Sequence, residues 1–369
     1  MKAMLLRKQA PIEENPLEEV DVPTPEPGEG EILIRVLACG ICHTDLHIVE
    51  GDIPLKKTPI IPGHQIVGTV EKRGPGVRAP EIGDRVGVGW LNWACGKCKF
   101  CLRGNENLCE KARFTGYDVD GGYAEFAVAP EAFSYLLPSH GPVGQQGPGS
   151  RGGPGGPGCP VVQRGPGAVQ IAPLLCAGIV GYRALKLSGA ERWDTLALYG
   201  FGASAHVMIQ IALKRGIKVM VFSRSPDHRK LARKLGAFWA GTVEETPPHK
   251  PERAIIFAPA GDLVRHALGN IEKAGTVTLA SIHMSAVPEL NYEKHLYYEK
   301  KLQSVTASTR IDGRGLLREA MEAGVRTETQ VFRLKDANTA LRMLKESKIN
   351  GAGVLEIGAE LPGELPGTS

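Results

Sequence analysis

Between about residue 173 and residue 306, apolar runs of strand length alternate with stretches of helical period, and this constrains the fold more than any other feature. Thr195–Tyr199, Lys218–Phe222, Ala254–Phe257, Thr276–Ala280 and Gln303–Thr306 read as strands. Between them lie helical patterns at Ala203–Arg215, at Asp227–Leu235 (stopping at Gly236) and at Leu263–Lys273. Strands joined by helices of this length require crossover connections, so the segment is expected to build a parallel, doubly wound α/β sheet.

The flanks read differently. Over residues 1–138, short strand-like runs (Glu31–Leu37, Ile66–Glu71, Arg85–Val88, Tyr123–Val128) are punctuated by Pro and Gly clusters, which points to a small antiparallel barrel or sandwich. The tail from Gly313 carries two helical stretches and a last strand at Gly353–Ile357, and is expected to return to the first domain. The domain expectation is therefore 1–172, 173–310 and 311–369. One stretch fits neither half: 17 of the 32 residues from Ser139 to Gln170 are Gly or Pro, a composition that buries apolar surface poorly and reads as a surface connection.

A chain of 369 residues with net charge +4 is long enough for two or three cores and too mildly basic to suggest a nucleic-acid or membrane-surface binder. The best apolar stretch, Ile171–Tyr182, is too short to span a bilayer, and the N-terminus lacks a signal core, so a cytoplasmic location is the expectation. In a reducing compartment the eight cysteines are better metal ligands than disulfides.

Cys95, Cys98, Cys101 and Cys109 form C-x2-C-x2-C-x7-C, a spacing that lets four thiolates close a tetrahedral shell around a structural zinc. An iron–sulfur cluster would require a shorter last gap followed by Pro, and free thiols are the remaining alternative. A second set is dispersed: Cys42, His43, His64 and Cys176 share no short spacing, and a lone cysteine in an apolar run such as Cys176 ordinarily fills core. Beside a nucleotide-binding half, however, two thiolates and one imidazole with a position left open would form a catalytic zinc arrangement.

That half carries its own signature. Gly200-Phe-Gly202-Ala-Ser-Ala205 follows a strand and opens a helix, as G-x-G-x-x-A does in dinucleotide-binding folds. Gly200 permits the tight turn, Gly202 lets backbone approach a pyrophosphate, and Ala205 lets helix and strand pack closely. The next strand ends at Phe222-Ser223-Arg224, without the carboxylate that would bind a ribose 2′-hydroxyl and repel a 2′-phosphate. Ser223 and Arg224 both donate, so NADP(H) is expected over NAD(H).

With GICHTDLH, GDIP, PGHQIVG, the four-cysteine lobe, GGYAEF and APLLCAGIVGYRALK, the chain resembles the zinc-dependent medium-chain alcohol dehydrogenases along nearly its whole length. The likeness is to the bacterial branch with a four-cysteine lobe; only 139–170 lacks a counterpart. It implies a GroES-like catalytic domain built from both chain ends around a Rossmann domain, and a homodimer or homotetramer. It further implies catalytic zinc on Cys42, His64 and Cys176, with Asp45 orienting the ligands. Thr44 would pass the alcohol proton by way of the nicotinamide ribose to His47, His43 would face the pyrophosphate, and Trp90 would line the substrate pocket. Two positions depart from the family: Gln65 replaces the usual Glu after the ligand His, and Ala352 stands where some relatives carry a phosphate-binding Arg.

The reading is thus an oxidoreductase interconverting small-molecule alcohols with aldehydes or ketones, with two zincs per chain. A catalytically silent zinc and nucleotide binder, or a zinc-free quinone reductase of the same fold, are the alternatives. An ordinary surface role for His47 and a helix-capping role for Thr44 are the bland readings of those two residues. Cys39 reads as core and Cys159 as a free thiol, while His140, His206, His228, His249, His266, His283 and His295 receive no role.

Overall fold

The structure, a computed structural model, describes residues 1–138 and 166–358. Cys159, His140 and most of the Gly/Pro-rich stretch lie outside the described residues.

The N-terminal part opens with a ribbon of β1 (Lys2–Leu6) and β2 (Leu17–Asp21), followed by β3 (Glu31–Gly40) and a short helix α1 (His43–Glu50). It continues through β4 (Gln65–Arg73), β5 (Arg85–Val88), β6 (Leu91–Trp93), α2 (Lys99–Leu102), β7 (Arg113–Phe114), β8 (Phe126–Pro130) and β9 (Ser134–Leu136). Helices α3 (Ala168–Ile171) and α4 (Ala177–Ser188) lead into the second part. There β10 (Thr195–Tyr199), α5 (Ala203–Lys214), β11 (Lys218–Phe222), α6 (Pro226–Lys234), β12 (Trp239–Gly241), β13 (Arg253–Ile256), α7 (Asp262–Asn270), β14 (Thr276–Leu279), α8 (Tyr292–His295) and β15 (Lys301–Ser304) follow in turn. The tail contributes α9 (Arg310–Ala323), β16 (Thr329–Arg333), α10 (Ala337–Lys345) and β17 (Ala352–Glu356).

The second part is a six-stranded parallel sheet in the order β12-β11-β10-β13-β14-β15. All five residues of β10 are buried, as expected for a central strand covered on both faces. The first part and the tail share a seven-stranded sheet, β16-β17-β3-β4-β5-β9 with β8 also on β3. β17 and β8 pair with β3 along the same edge, β17 at Ala38–Gly40 and β8 at Glu31–Arg35. Strands β16 and β17 are parallel to each other, the one parallel pair among the described strands of an otherwise antiparallel sheet. Helix α9 stands against α4 and α5, and its Gly313 closely approaches Tyr135 of β9.

Several elements depart from the sequence reading. The ribbon β1–β2 and helix α1 were not foreseen. The strand expected from Tyr123 begins at Phe126, because the Tyr123 and Glu125 amides are drawn to the carbonyls of Pro62 and Lys2 instead of a regular ladder. The expected strand at Gln303–Thr306 starts two residues earlier and ends at Ser304.

Candidate active site

Three segments far apart in sequence converge. Cys42 is the extended N-cap of α1, and Asp45 in the first turn accepts its amide through Oδ2 at 2.9 Å. His64 follows Gly63, whose φ of 96° and whose close approach to Tyr123 and Cys39 leave no room for a Cβ. Cys176 sits at the break between the turn Ala172–Leu175 and α4. One ligand atom from each of Cys42, His64 and Cys176 lies within 4.8 Å of the others.

The surroundings fix the imidazole. Asp45 Oδ1 lies 2.9 Å from His64 Nδ1, and Tyr123 donates its hydroxyl to Asp45 Oδ2 at 3.2 Å. With Nδ1 committed, Nε2 is turned toward the sulfurs, and it is buried without a hydrogen-bond partner among the described residues. A buried orphan of this kind is costly unless something else binds it. The Cys176 thiol, against the opposing effect of burial and with help from His64, pulls Cys42 well below the usual thiol range. Two sulfurs and an imidazole held by a carboxylate match the donor set and outer support of a catalytic zinc.

Along α1 the polar side chains take separate directions. Thr44 is buried, with Oγ1 3.7 Å from Cys42 Sγ. Since Cys42 and Asp45 cap the helix, capping does not account for Thr44. His47 Nδ1 lies 2.7 Å from Asp52 Oδ2, brought back by the left-handed turn at Gly51. His43 is pushed below the usual imidazole range, chiefly by burial. His43 and His47 have ring centroids 6.4 Å apart, and His283, from the loop after β14, stands 5.6 Å from His47. Sequence reasoning missed His283, because it comes from the opposite half of the chain. Trp90 meets His64 edge-on at 4.9 Å and stacks on Phe114 at 4.9 Å, forming an aromatic wall beside the triad. Gln65, at the start of β4, is buried against Gly40.

At the end of β10, Gly200 (φ 86°) turns the chain while its amide bonds the Phe222 carbonyl at 2.8 Å. Gly202 is the N-cap of α5, with no side-chain cap, and a Cβ added there would meet nothing within 4 Å. Uncapped first-turn amides facing open space suit an anionic ligand. Ala205 is fully buried. Beyond β11, Arg224 is exposed, and Arg229 Nη1 donates to the carbonyls of Ser223 and Arg224 at 2.7 and 2.9 Å. Arg229, unmentioned in the sequence reading, therefore braces the loop that carries both candidate donors.

Cys95, Cys98, Cys101 and Cys109 also gather, one atom from each within 4.8 Å of the rest. Gly96 and Gly104, both with positive φ, turn the loop. The Lys97 and Cys98 amides pull Cys95 down to about 6, whereas burial and the neighbouring thiols push Cys101 up to about 12. The lobe is tied to the other half: Asn107 Nδ2 donates to the Thr306 carbonyl at 2.7 Å, and Glu106 Oε1 accepts the Arg310 amide and Nε at 3.1 and 3.2 Å. Cys39 is buried in β3 and belongs to neither cluster. The other described histidines without an assigned role, His206, His228, His249, His266 and His295, also fall outside both.

Comparison with known proteins gives the family. The alcohol dehydrogenase GroES-like domain family matches residues 28–139. The probable alcohol dehydrogenase AdhA of Mycobacterium tuberculosis is 41% identical over 362 residues, covering 97% of each chain. An alcohol dehydrogenase of Geobacillus stearothermophilus is 33% identical, covering 95% of this chain and 99% of its own. A solved cinnamyl alcohol dehydrogenase of Sorghum bicolor superposes with a TM-score of 0.81 at 24% identity, covering 96% of this chain and 97% of that one, and shares the fold. With its four-cysteine lobe, the chain belongs to the zinc-dependent medium-chain alcohol dehydrogenases.

Proposed function

We propose that this alcohol dehydrogenase carries two zincs, one held by Cys42, His64 and Cys176 and one by the four-cysteine lobe, and prefers NADP(H). The observation that carries the catalytic site is the orphaned His64 Nε2, facing two sulfurs with its other nitrogen held by Asp45. When bound, the zinc supplies Lewis-acid polarisation of a substrate oxygen, and the nicotinamide supplies hydride exchange.

The chain's residues do the rest. Trp90, buttressed by Phe114, walls the substrate side and limits its water. Thr44 takes the proton of an alcohol hydroxyl, a role supported by its position beside the Cys42 sulfur. His47, with Nδ1 on Asp52, is the base that carries the proton outward through Nε2. The α5 amides and His43 receive the pyrophosphate. Ser223 and Arg224, on the loop braced by Arg229, donate to a 2′-phosphate, and no carboxylate at the end of β11 opposes it. Self-association into a homodimer or homotetramer is supported by β15, an edge strand with Leu302 exposed near exposed Tyr297 and Tyr298. A reducing, cytoplasmic setting suits a site built on thiolates.

The test is metal analysis with a coenzyme panel. Two zincs per chain and reduction of simple aldehydes, with a higher kcat/KM for NADPH than for NADH, support the proposal. One zinc without turnover leaves a silent binder. Zinc-free turnover of quinones indicates the reductase, and a preference for NADH removes the coenzyme assignment.

A further inference from the structure

His47 is enclosed on most sides, its side chain only 16% exposed. If it takes up a proton, that proton needs a way out. Asp52 accepts from Nδ1, which leaves Nε2 to receive the proton and to pass it to a second base within reach. Asp52 is itself half exposed; His283, also exposed, is the nearest imidazole to His47, its ring centroid 5.6 Å away at 47°. At this separation two imidazole nitrogens turned toward each other come within hydrogen-bond or one-water reach.

The loop bearing His283 is held at both ends. The Ala280 amide bonds the Ile256 carbonyl, and Ser281 Oγ donates to the Phe257 carbonyl at 3.1 Å. Beyond the bend, the Ser285 amide bonds the Pro259 carbonyl, and Ser285 Oγ accepts the Gly261 amide at 2.9 Å. Residues 282–284 therefore form a pinned projection from the parallel sheet toward α1. Imidazole suits such a post, because it accepts a proton on one nitrogen and gives one up from the other.

The geometry points to His283 as a positioning residue for His47 and the outlet of its proton. Resting on the proton-carrying role proposed for His47, the step is a balanced transfer. Protonated His47 gives its Nε2 proton to a nitrogen of His283, and His283 gives one proton to water, so both rings end neutral. Because the two rings come from opposite halves of the molecule, the outlet is complete only where the parallel sheet meets α1.

The experiment uses the full, zinc-loaded chain with benzyl alcohol and whichever oxidised coenzyme it turns over. An indicator dye follows proton release in a single turnover at low buffer concentration. His283→Ala and His283→Gln are expected to slow proton release about tenfold, leave the coenzyme Kd unchanged, and recover when imidazole is added. In the substrate-free protein, the ring ¹⁵N resonances of His47 are expected to move in both variants. His47→Gln serves as the reference. If it is slowed and rescued by imidazole while both His283 variants release protons at the wild-type rate, the outlet is refuted and the role of His47 stands. If His47→Gln itself releases protons normally, both readings fall. A loss in His283→Ala that imidazole does not restore and that raises the coenzyme Kd would make His283 a mere strut between the halves and also overturn the outlet.

Discussion

Replacing Asp45 by Asn keeps the side chain's shape and removes its charge. In the structure Asp45 is fully buried and receives three donors: His64 Nδ1, the Cys42 amide and the Tyr123 hydroxyl. An amide has one accepting end. Turned one way it presents NH₂ to His64, and turned the other way to the Cys42 amide and Tyr123. Either way at least one buried donor loses its acceptor, which costs about 1–3 kcal/mol. At about 1.4 kcal/mol per tenfold, a loss of that size at His64 weakens zinc binding about 5- to 150-fold. This overlaps the roughly 10- to 100-fold typical of losing an outer partner of a ligating histidine. Competition with a chelator of known affinity measures it, and the four-cysteine zinc, which Asp45 does not touch, is the internal reference. Asp45→Asn protein that holds the Cys42–His64–Cys176 zinc within about twofold of wild type, while the reference zinc is unchanged, would refute the argument.

Thr44→Ala is expected to lower kcat by about 100-fold with both zincs retained; metal content measured beside turnover checks this. Cys98→Ser is expected to remove only the lobe zinc, and amide exchange should quicken at Thr306–Arg310, where Asn107 and Glu106 anchor the lobe. Arg224→Asp should lower kcat/KM for NADPH about 10- to 100-fold through loss of a charge-assisted hydrogen bond, with little change for NADH, as steady-state kinetics would report. Asp312, on α9, has its carboxyl below the usual range: burial opposes this, but Thr309 and Arg183 outweigh burial. Its contribution is therefore present at neutral pH and lost as pH falls through the lowered value. Asp312→Asn should unfold at a lower temperature at pH 7, by about 2–4 °C per kcal/mol lost, and calorimetry should find that gap closing as the pH falls through the lowered value.

How much was legible in the sequence depended on how local the cause was. Strands β10 and β11 were located to the residue, because a parallel strand covered on both faces is apolar over nearly all its length and so stands out. The four-cysteine lobe was legible because its ligands lie within one loop. Helix α1 was not: its eight residues include His43, Thr44, Asp45 and His47, so it has no clean apolar stripe to reveal its period. Spacing could not join Cys42, His64 and Cys176, since the fold brings them together from an N-cap, a pre-strand turn and a helix break. The family likeness proposed that set, and the shared 4.8 Å neighbourhood supplies the geometry. His283 had no signal at all, because its significance lies in a ring belonging to the other half of the molecule.

The strand order of the mixed sheet bears on how the chain is made. β3 is complete after forty residues, yet its neighbour β17 comes only at Ala352–Glu356. During translation the Rossmann segment can close while this edge is still bare, and the bare edge belongs to the strand that leads directly into Cys42. The end of β3 nearest Cys42, Ala38–Gly40, thus stays unpaired along this edge until β17 has been made, and a chain stalled within the Rossmann segment leaves that edge open to pairing with another chain.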